Sequence, residues 1–176
     1  MTEKAESLYD ALLKETLSAL ADPGLLLVSQ GKSGKPNAMA IGWGSIGTIW
    51  GKPVFVALVR PSRYTHKLLD ENGDFTINVM PASLGEAVEY CGTVSGRDHD
   101  KFAEKKLTAV SGLQVKAPII GESLIAYECR TVMTNEVIPD RLDLAIRNSA
   151  YASGDFHRVY FGNILCVRVE RELAKT

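Results

Sequence analysis

The chain is built largely from short apolar runs separated by turn residues, and this pattern limits the folds open to it. No regular crossover helix separates successive runs, which argues against a doubly wound parallel sheet. A closed or nearly closed barrel would bury both the strands and their edges. The sequence therefore predicts a mainly β fold of about six antiparallel strands. The runs are LLLVSQ (25–30), NAMAIGW (37–43), PVFVALV (53–59), FTINVM (75–80), SLIAYECRTVMTNEVI (123–138) and VYFGNILCVRVE (159–170).

Two helices are predicted from apolar spacing and end signals. Apolar residues recur at helical spacing from Ser7 to Leu20, and Pro23-Gly24 ends that helix. In RPSRYTHKLLDENG (60–73), Ser62 is the expected N-cap and Asn72-Gly73 the expected C-terminal stop.

Weaker signals complete the assignment. SLGE (83–86) matches a capping box and predicts a short helix to about Cys91. GRDHDKFAEKK (96–106) is typical of a solvated helical turn or two. The run 123–138 alternates apolar with polar residues, which indicates a half-buried strand, and Gly162 predicts a bulge or a close approach.

Length and composition favour a single domain over residues 1–176, with residues 1–22 as its N-terminal helix. The net charge of −1 and the lack of a long basic run argue against nucleic acid or a membrane surface as partner. The apolar runs are far shorter than the ~20 residues of a membrane helix. The polar N-terminus is unlike a signal peptide, and three widely spaced cysteines fit a reducing compartment. We therefore expect a cytoplasmic protein.

The segment Arg60-Pro61-Ser62-Arg63-Tyr64-Thr65 has the composition of a phosphate site. It runs from a strand end into a helix start, where backbone N–H groups are unpaired and the local dipole is positive. Two guanidinium and two hydroxyl groups can donate to phosphate oxygens. An N-capped helix with solvated arginines is the alternative, and this segment alone does not decide between them.

A second loop, from Ser95 to Phe102, carries another cation. Gly96 permits close backbone approach, and Lys101 offers a point charge to an anion. The alternative is a surface turn of mixed charge. Asp98-His99-Asp100 contains possible metal ligands, but no other segment supplies matching ones, so no metal is expected.

A third segment, NAMAIGWGSIG (37–47), has small residues at alternate positions. These leave one strand face bare, against which a flat aromatic ligand could lie. Trp43 adds an amphipathic surface with an indole donor. Close barrel packing is the alternative reading of the small residues, and a place in the barrel core is the alternative for Trp43.

Several common motifs are missing from the sequence. No GxGxxG follows the first strand, and the sequence contains no GxxxxGK[ST] and no GxSxG, so the Rossmann fingerprint, the P-loop and the hydrolase nucleophile elbow are not present. His66, His99 and His157 are scattered and form no catalytic pattern. The sequence therefore assigns no catalytic residue.

The segments taken together resemble a known family. NAMAIGWGSIG, KPVFVALVRPSRYTHKLL, FTINV and YCGTVSGRDHDKF occur in the order and spacing of the flavin reductase-like, FMN-binding split-barrel family, and are most similar to its flavoredoxin-type proteins. The resemblance spans roughly residues 20–170. It implies a six-stranded antiparallel Greek-key split barrel with short peripheral helices, and a homodimer with non-covalent FMN near the subunit interface.

The resemblance also implies site residues. Ser62, Arg63 and Thr65 would face the phosphate and ribityl chain, with Lys101 as a further phosphate partner. Ala40 stands where family members often have Thr, which removes one hydroxyl contact to the ring. Beyond Glu122 the chain departs more from the pattern, and no residue is transferred. The expected cofactor-binding residues are Asn37, Met39, Ala40, Ile41, Trp43, Arg60, Ser62, Arg63, Thr65, Ser95 and Lys101.

The implied activity is that of an NAD(P)H-dependent flavin reductase, which takes a hydride and passes electrons to free flavin or another small acceptor. The first alternative is a flavoredoxin-like FMN electron-transfer protein that serves a protein partner. The second is a structural or ligand-sensing barrel without turnover. Since a flavin carries out the redox chemistry itself, the protein needs to supply only position, electrostatics and exclusion of solvent.

Overall fold

The computed structural model describes residues 3–170, with side chains from residue 11 to residue 170. One antiparallel sheet of seven strands forms the body of the fold, in the order β2-β1-β5-β8-β9-β4-β3, and a two-stranded ribbon of β6 and β7 lies apart from it. The strands are β1 Leu25–Gln30, β2 Pro36–Ile41, β3 Gly44–Ile49, β4 Lys52–Val59, β5 Asp74–Val79, β6 Ala109–Val110, β7 Ile119–Ile120, β8 Ile125–Glu136 and β9 Arg158–Val169.

Helices occupy the N-terminus and the connections between strands. The α-helices are α1 Glu3–Ala21, α2 Tyr64–Asn72, α3 Gly85–Thr93, α4 Lys101–Glu104 and α5 Leu144–Ala150, and two 3₁₀ turns are Ala82–Leu84 and Pro139–Arg141. The mainly β prediction is confirmed. In residues 3–170, no helix is long and apolar enough to cross a membrane.

The main sheet has seven strands rather than the predicted six, because the segment after Trp43 forms a strand of its own. Strand β3 pairs antiparallel with β4, and the hairpin turns at Trp50-Gly51, where both residues have positive φ (54° and 69°). A two-residue turn of this kind matches the twist of the flanking strands. Since β2 and β3 are the edges of the described sheet, closure into a Greek-key barrel stays a prediction.

Both faces of the central strands are buried, which explains the unbroken apolar run of β1. Leu25 and Leu27 belong to the larger core cluster with Phe55 and Phe75, whereas Leu26 and Val28 pack into a second cluster beneath α3 and α4. Ile125–Cys129 of β8 are likewise all buried. The prediction of a half-buried strand was therefore wrong for the first part of β8, because its second face is covered too.

Gly162 marks a close approach, as predicted. A Cβ at this position would lie 2.9 Å from the Cβ of Cys129 and closer still to the ring of Phe75. The partner strand β8 has register shifts between Glu128 and Cys129 and between Thr131 and Met133, around the residues that pair with this part of β9. The bare backbone of Gly162 therefore leaves room for the buried Phe75 ring where the sheet bends.

The ends of the helices differ from the capping predictions. Gly73 ends α2 in the left-handed conformation and donates its N–H to the Leu69 carbonyl, which confirms the predicted stop. The N-cap of α2 is Arg63, without a side-chain cap, so the prediction for Ser62 was wrong; its hydroxyl is bonded to Asp155 instead. Ser83 caps nothing either, because it lies inside a 3₁₀ turn that precedes α3.

The segment GRDHDKFAEKK (96–106) is also less solvated than predicted. Only Lys101–Glu104 form a helix, and Asp100 is its N-cap, accepting from the N–H of Ala103. Lys101 and Phe102 are buried, because this helix packs its first turn against β2 and the second core cluster. This packing brings Lys101 to the site described next.

Candidate functional site

Two adjoining cavities lie where β2, the β4–α2 loop, the loop after α3 and the loop after α5 meet. The first, which we call the cationic cavity, has a volume of about 390 Å³. The second, which we call the aromatic cavity, has a volume of about 180 Å³ and contains Trp43 and His157 in its wall. Met39, Arg60 and Arg63 line both, so the two cavities are neighbours along one surface.

All eleven residues predicted from the sequence line one or both of these cavities. Those in the wall of the cationic cavity are Asn37, Met39, Arg60, Ser62, Arg63, Thr65, Ser95 and Lys101. Those in the wall of the aromatic cavity are Met39, Ala40, Ile41, Trp43, Arg60 and Arg63. The structure thus brings together the three predicted segments, 37–43, 60–65 and 95–101, which are far apart in the sequence.

The cationic cavity has an excess of positive charge. Four cations line it, and among the described residues Asp155 is its one carboxylate. The guanidiniums are held by backbone oxygens: Arg63 Nη1 donates to Gly92 O at 2.9 Å, and Arg97 Nη1 donates to Ser62 O at 3.0 Å. A guanidinium has five N–H donors, so one carbonyl contact leaves others for a ligand. The wall therefore combines positive charge with hydrogen-bond donors, which is the chemistry that an anion requires.

Lys101 is the most buried of these cations, with 4% of its surface exposed. Its Nζ donates to Ala38 O and to Cys91 O, each at 2.8 Å, which fixes the ammonium group beneath the cavity. Burial lowers the pKa of Lys101; Cys91 opposes this shift, and nearby Arg63 adds to it. A bound anion would compensate the charge of this desolvated group.

Asn37 and Thr65 form a buried polar pair at the back of the same cavity. Asn37 Nδ2 donates to Thr65 Oγ1 at 2.8 Å, so the hydroxyl hydrogen of Thr65 remains available to a ligand. Gly96 is packed against Asn37, and any Cβ at position 96 would overlap the Asn37 side chain. The glycine in the loop after α3 therefore allows this loop to close over Asn37.

The small residues of β2 serve packing as well as the site. Ala38 is fully buried in the core cluster under α3, and Ala40 packs against the same cluster. A Cβ on Gly92 of α3 would lie 3.2 Å from the Ala40 Cβ. Close helix packing therefore accounts for the side chain of Ala38, while Ala40 also reaches the wall of the aromatic cavity.

Trp43 lies beyond the end of β2 and is 45% exposed, which excludes a place in the hydrophobic core. Its ring centroid is 5.0 Å from that of His157 and 6.1 Å from that of Tyr151. The guanidinium carbon of Arg60 lies 6.0 Å from the centre of the Trp43 ring. Trp43 thus offers an aromatic surface at the open side of the aromatic cavity.

His157 is buried and neutral at physiological pH. The Tyr151 hydroxyl and His157 Nδ1 are 2.8 Å apart and share a hydrogen bond. The pKa of His157 is lowered to about 4, mainly by burial and then by Arg60; Asp155 acts in the opposite direction, and Arg63 adds a smaller decrease. The imidazole therefore adds a polar group but no charge to the aromatic cavity.

The sequence did not assign several residues of this site. Ser153, Asp155 and His157 come from the loop between α5 and β9, and Arg97 from the loop after α3. The first three lie beyond Glu122, where the resemblance transferred no residue, and they carry no local motif. The one available signal was the polar, Gly-containing stretch SGDFH (153–157), which indicates an exposed loop but no ligand.

Residues 17–176 match the family described as "Flavin reductase like domain". The chain belongs to this family. A flavoredoxin from Methanosarcina acetivorans has a similar structure, with a TM-score of 0.69 and 30% identity, covering 85% of this chain and 69% of that one.

The chain is also similar to two curated proteins. An uncharacterized protein of Archaeoglobus fulgidus is 35% identical over 98 residues, which are 56% of this chain and 55% of that protein. The protein FMN reductase (NADH) RutF 2 of Methylorubrum extorquens is 26% identical over 159 residues, or 89% of this chain and 88% of that protein. The chain spans 40–62% of the length of the first four curated relatives it matches.

Proposed function

We propose that this chain binds FMN without a covalent bond and works as an NAD(P)H-dependent flavin reductase. The observation that carries the proposal is the pairing of two cavities: one with four cations and one carboxylate, and beside it one with an aromatic wall. FMN has the same division into a phosphate and a flat ring. When bound, it would supply hydride acceptance and electron transfer.

The donors of the cationic cavity fit a phosphate. Ser62, Arg63, Thr65 and Lys101 would hold the phosphate and the start of the ribityl chain, with Ser95 as a further contact. Ser62 already donates its backbone N–H and its hydroxyl to the carboxylate oxygens of Asp155, so both donors are oriented toward an anionic group in this cavity. Charge-assisted hydrogen bonds of this kind are among the strongest that a protein makes.

The aromatic cavity fits the ring. The backbone of Met39, Ala40 and Ile41 would lie along one edge of the isoalloxazine, and Asn37 and Trp43 would border it. Arg60 lines both cavities and would lie between ring and phosphate. Because His157 stays neutral, it would offer a hydrogen bond to the ligand or to a nicotinamide without adding charge.

A kinetic experiment separates the reductase from the electron-carrier alternative. The name of the Methylorubrum relative favours the first and that of the Methanosarcina neighbour the second. We expect purified protein with excess free FMN to oxidise NADH or NADPH through many turnovers, well above the rate with FMN alone. If each bound flavin is reduced at most once and NADH or NADPH oxidation then stops, the reductase is excluded and a carrier that depends on a protein partner is favoured.

We also propose a homodimer. Exposed apolar side chains lie on neighbouring strands, with Val132 and Met133 on β8 and Leu165 and Val167 on β9. Burial against a second copy would remove these side chains from water. Light scattering should give twice the chain mass of 19.2 kDa, and a monomer with FMN fully bound would contradict this assembly.

A further inference from the structure

A carboxylate already occupies part of the cationic cavity. Asp155 Oδ1 accepts from the backbone N–H of Ser62 at 3.2 Å, and Asp155 Oδ2 accepts from the Ser62 hydroxyl at 2.6 Å. These two donors belong to the strand-to-helix loop that a phosphate would use. Among the residues described, Asp155 is the one carboxylate in the wall of this cavity.

We propose that Asp155 competes with the ligand phosphate for Ser62 and thereby sets the selectivity of the site between phosphorylated and unphosphorylated flavins. This inference rests on the proposed function. A hydroxyl has one hydrogen to donate, so Ser62 cannot give it to both anions. A carboxylate and a phosphate held side by side also repel each other. The phosphate must therefore displace the carboxylate. The protein then loses the two Asp155–Ser62 hydrogen bonds for each FMN molecule that binds.

The backbone around Asp155 is fixed independently of its side chain. Arg60 Nη1 donates to Asp155 O at 2.8 Å and Arg60 Nη2 donates to Ala150 O at 3.0 Å. These bonds hold the loop by its carbonyl oxygens and do not involve the carboxylate. Displacement thus requires a rotation of one side chain while the loop stays in place. A ligand without a phosphate leaves the Asp155–Ser62 pair intact.

The variants are chosen for the backbone at this position. Asp155 has a φ of 56°, in the left-handed region, where Asn and Gly are tolerated better than Ala. Asp155→Asn removes the charge at nearly constant size, and Asp155→Gly removes the whole competitor. Asp98→Asn is the matched control, since Asp98 is exposed in the neighbouring loop and does not line the cavity.

The experiment is a fluorescence titration of wild type and the three variants with FMN and, separately, with riboflavin. For both Asp155 variants we expect the ratio of FMN affinity to riboflavin affinity to rise about tenfold, because FMN binds more tightly while riboflavin affinity is unchanged. In Asp98→Asn we expect neither affinity to change. A ratio that stays constant or falls in the Asp155 variants, while wild type binds FMN, overturns the inference and leaves the proposed function standing. If neither the wild type nor any variant binds a flavin, the proposed function fails and the inference fails with it.

Discussion

Among single residues, Lys101 offers the most specific test of the cationic cavity. Lys101→Met keeps the length of the side chain but removes the ammonium group. We expect FMN affinity to fall about ten- to a hundredfold, because a buried charge-assisted contact contributes roughly 1.5–3 kcal/mol. Riboflavin, which has no phosphate, should lose much less. The measurement is an equilibrium titration with both ligands.

Lys105→Met is the matched control for this variant, since Lys105 follows the same helix but does not line the cavity. It should bind both ligands as wild type does. Equal losses of FMN and riboflavin affinity in Lys101→Met would instead mean that Lys101 acts through folding, by leaving the carbonyls of Ala38 and Cys91 without a donor.

The lowered pKa of His157 predicts a specific pH dependence of stability. Its pKa falls from 6.5 to about 4 on folding, mainly through burial and then through Arg60, against the opposing charge of Asp155. Between these values the unfolded chain binds a proton that the folded protein does not. The free energy of unfolding is therefore independent of His157 protonation above pH 6.5, and it decreases as the pH falls from 6.5 toward 4.

We expect urea unfolding to show this loss as a decrease in the free energy of unfolding of at most about 3 kcal/mol. In His157→Asn, which can still bond to the Tyr151 hydroxyl, that part of the pH dependence should be missing. The other titrating groups are common to both proteins and cancel in the difference. Parallel curves for wild type and variant would contradict the assigned environment of His157.

Among the elements of the fold, the bend where β8 passes β9 depends on Gly162. Gly162→Ala would place a methyl group against the Phe75 ring and 2.9 Å from the Cys129 Cβ, both in the core. Overpacking of this kind costs about 1–3 kcal/mol of unfolding free energy. Chemical denaturation measures it, and Gly47→Ala in β3, whose Cβ would have open space, is the control. Equal stability of the two variants would contradict this packing.

The elements also explain which parts of the fold could be predicted from the sequence. The predicted runs locate β1, β2, β4, β5, β8 and β9, and the unbroken apolar run of β1 reflects the burial of both its faces. Strand β3 was missed because Gly44–Ile49 is an edge strand of small and polar residues, with a Trp-Gly turn in place of the usual Asn-Gly. This segment forms a strand because it pairs with β4, and its own sequence carries no pattern that predicts this pairing.

The N-cap of α2 illustrates a competition that the sequence could not resolve. Ser62 has the residue type of a cap, but Asp155, far along the chain, takes its hydroxyl, and the helix begins after Arg63 without a side-chain cap. A long-range partner thus replaces a local one. Asp155 and His157 were not predicted as site residues for the same reason, since they lie far along the chain from the other site segments. The segments within 37–65 and 95–101 could be predicted because they carry local patterns of glycine, hydroxyl and positive charge.

At the scale of the whole molecule, the site exists because the fold brings four separate segments to one place. Strand β2, the β4–α2 loop and the segment after α3 supply the predicted residues of the walls, and the loop after α5 supplies residues that were not predicted. Arg60 connects the β4–α2 loop to the end of α5 and the loop after it by donating to three carbonyl oxygens. The cationic and aromatic cavities are therefore parts of one structure, and one ligand with both a phosphate and a ring should occupy them together.

Equilibrium titration of the purified apo-protein with FMN tests this claim most directly, with flavin fluorescence and absorbance as signals. We predict saturation at one FMN per chain, quenched flavin fluorescence, weaker binding of riboflavin, and full release of the yellow chromophore into the supernatant after acid denaturation. Neither a spectral change nor quenching in folded protein at saturating FMN would contradict the account at its centre.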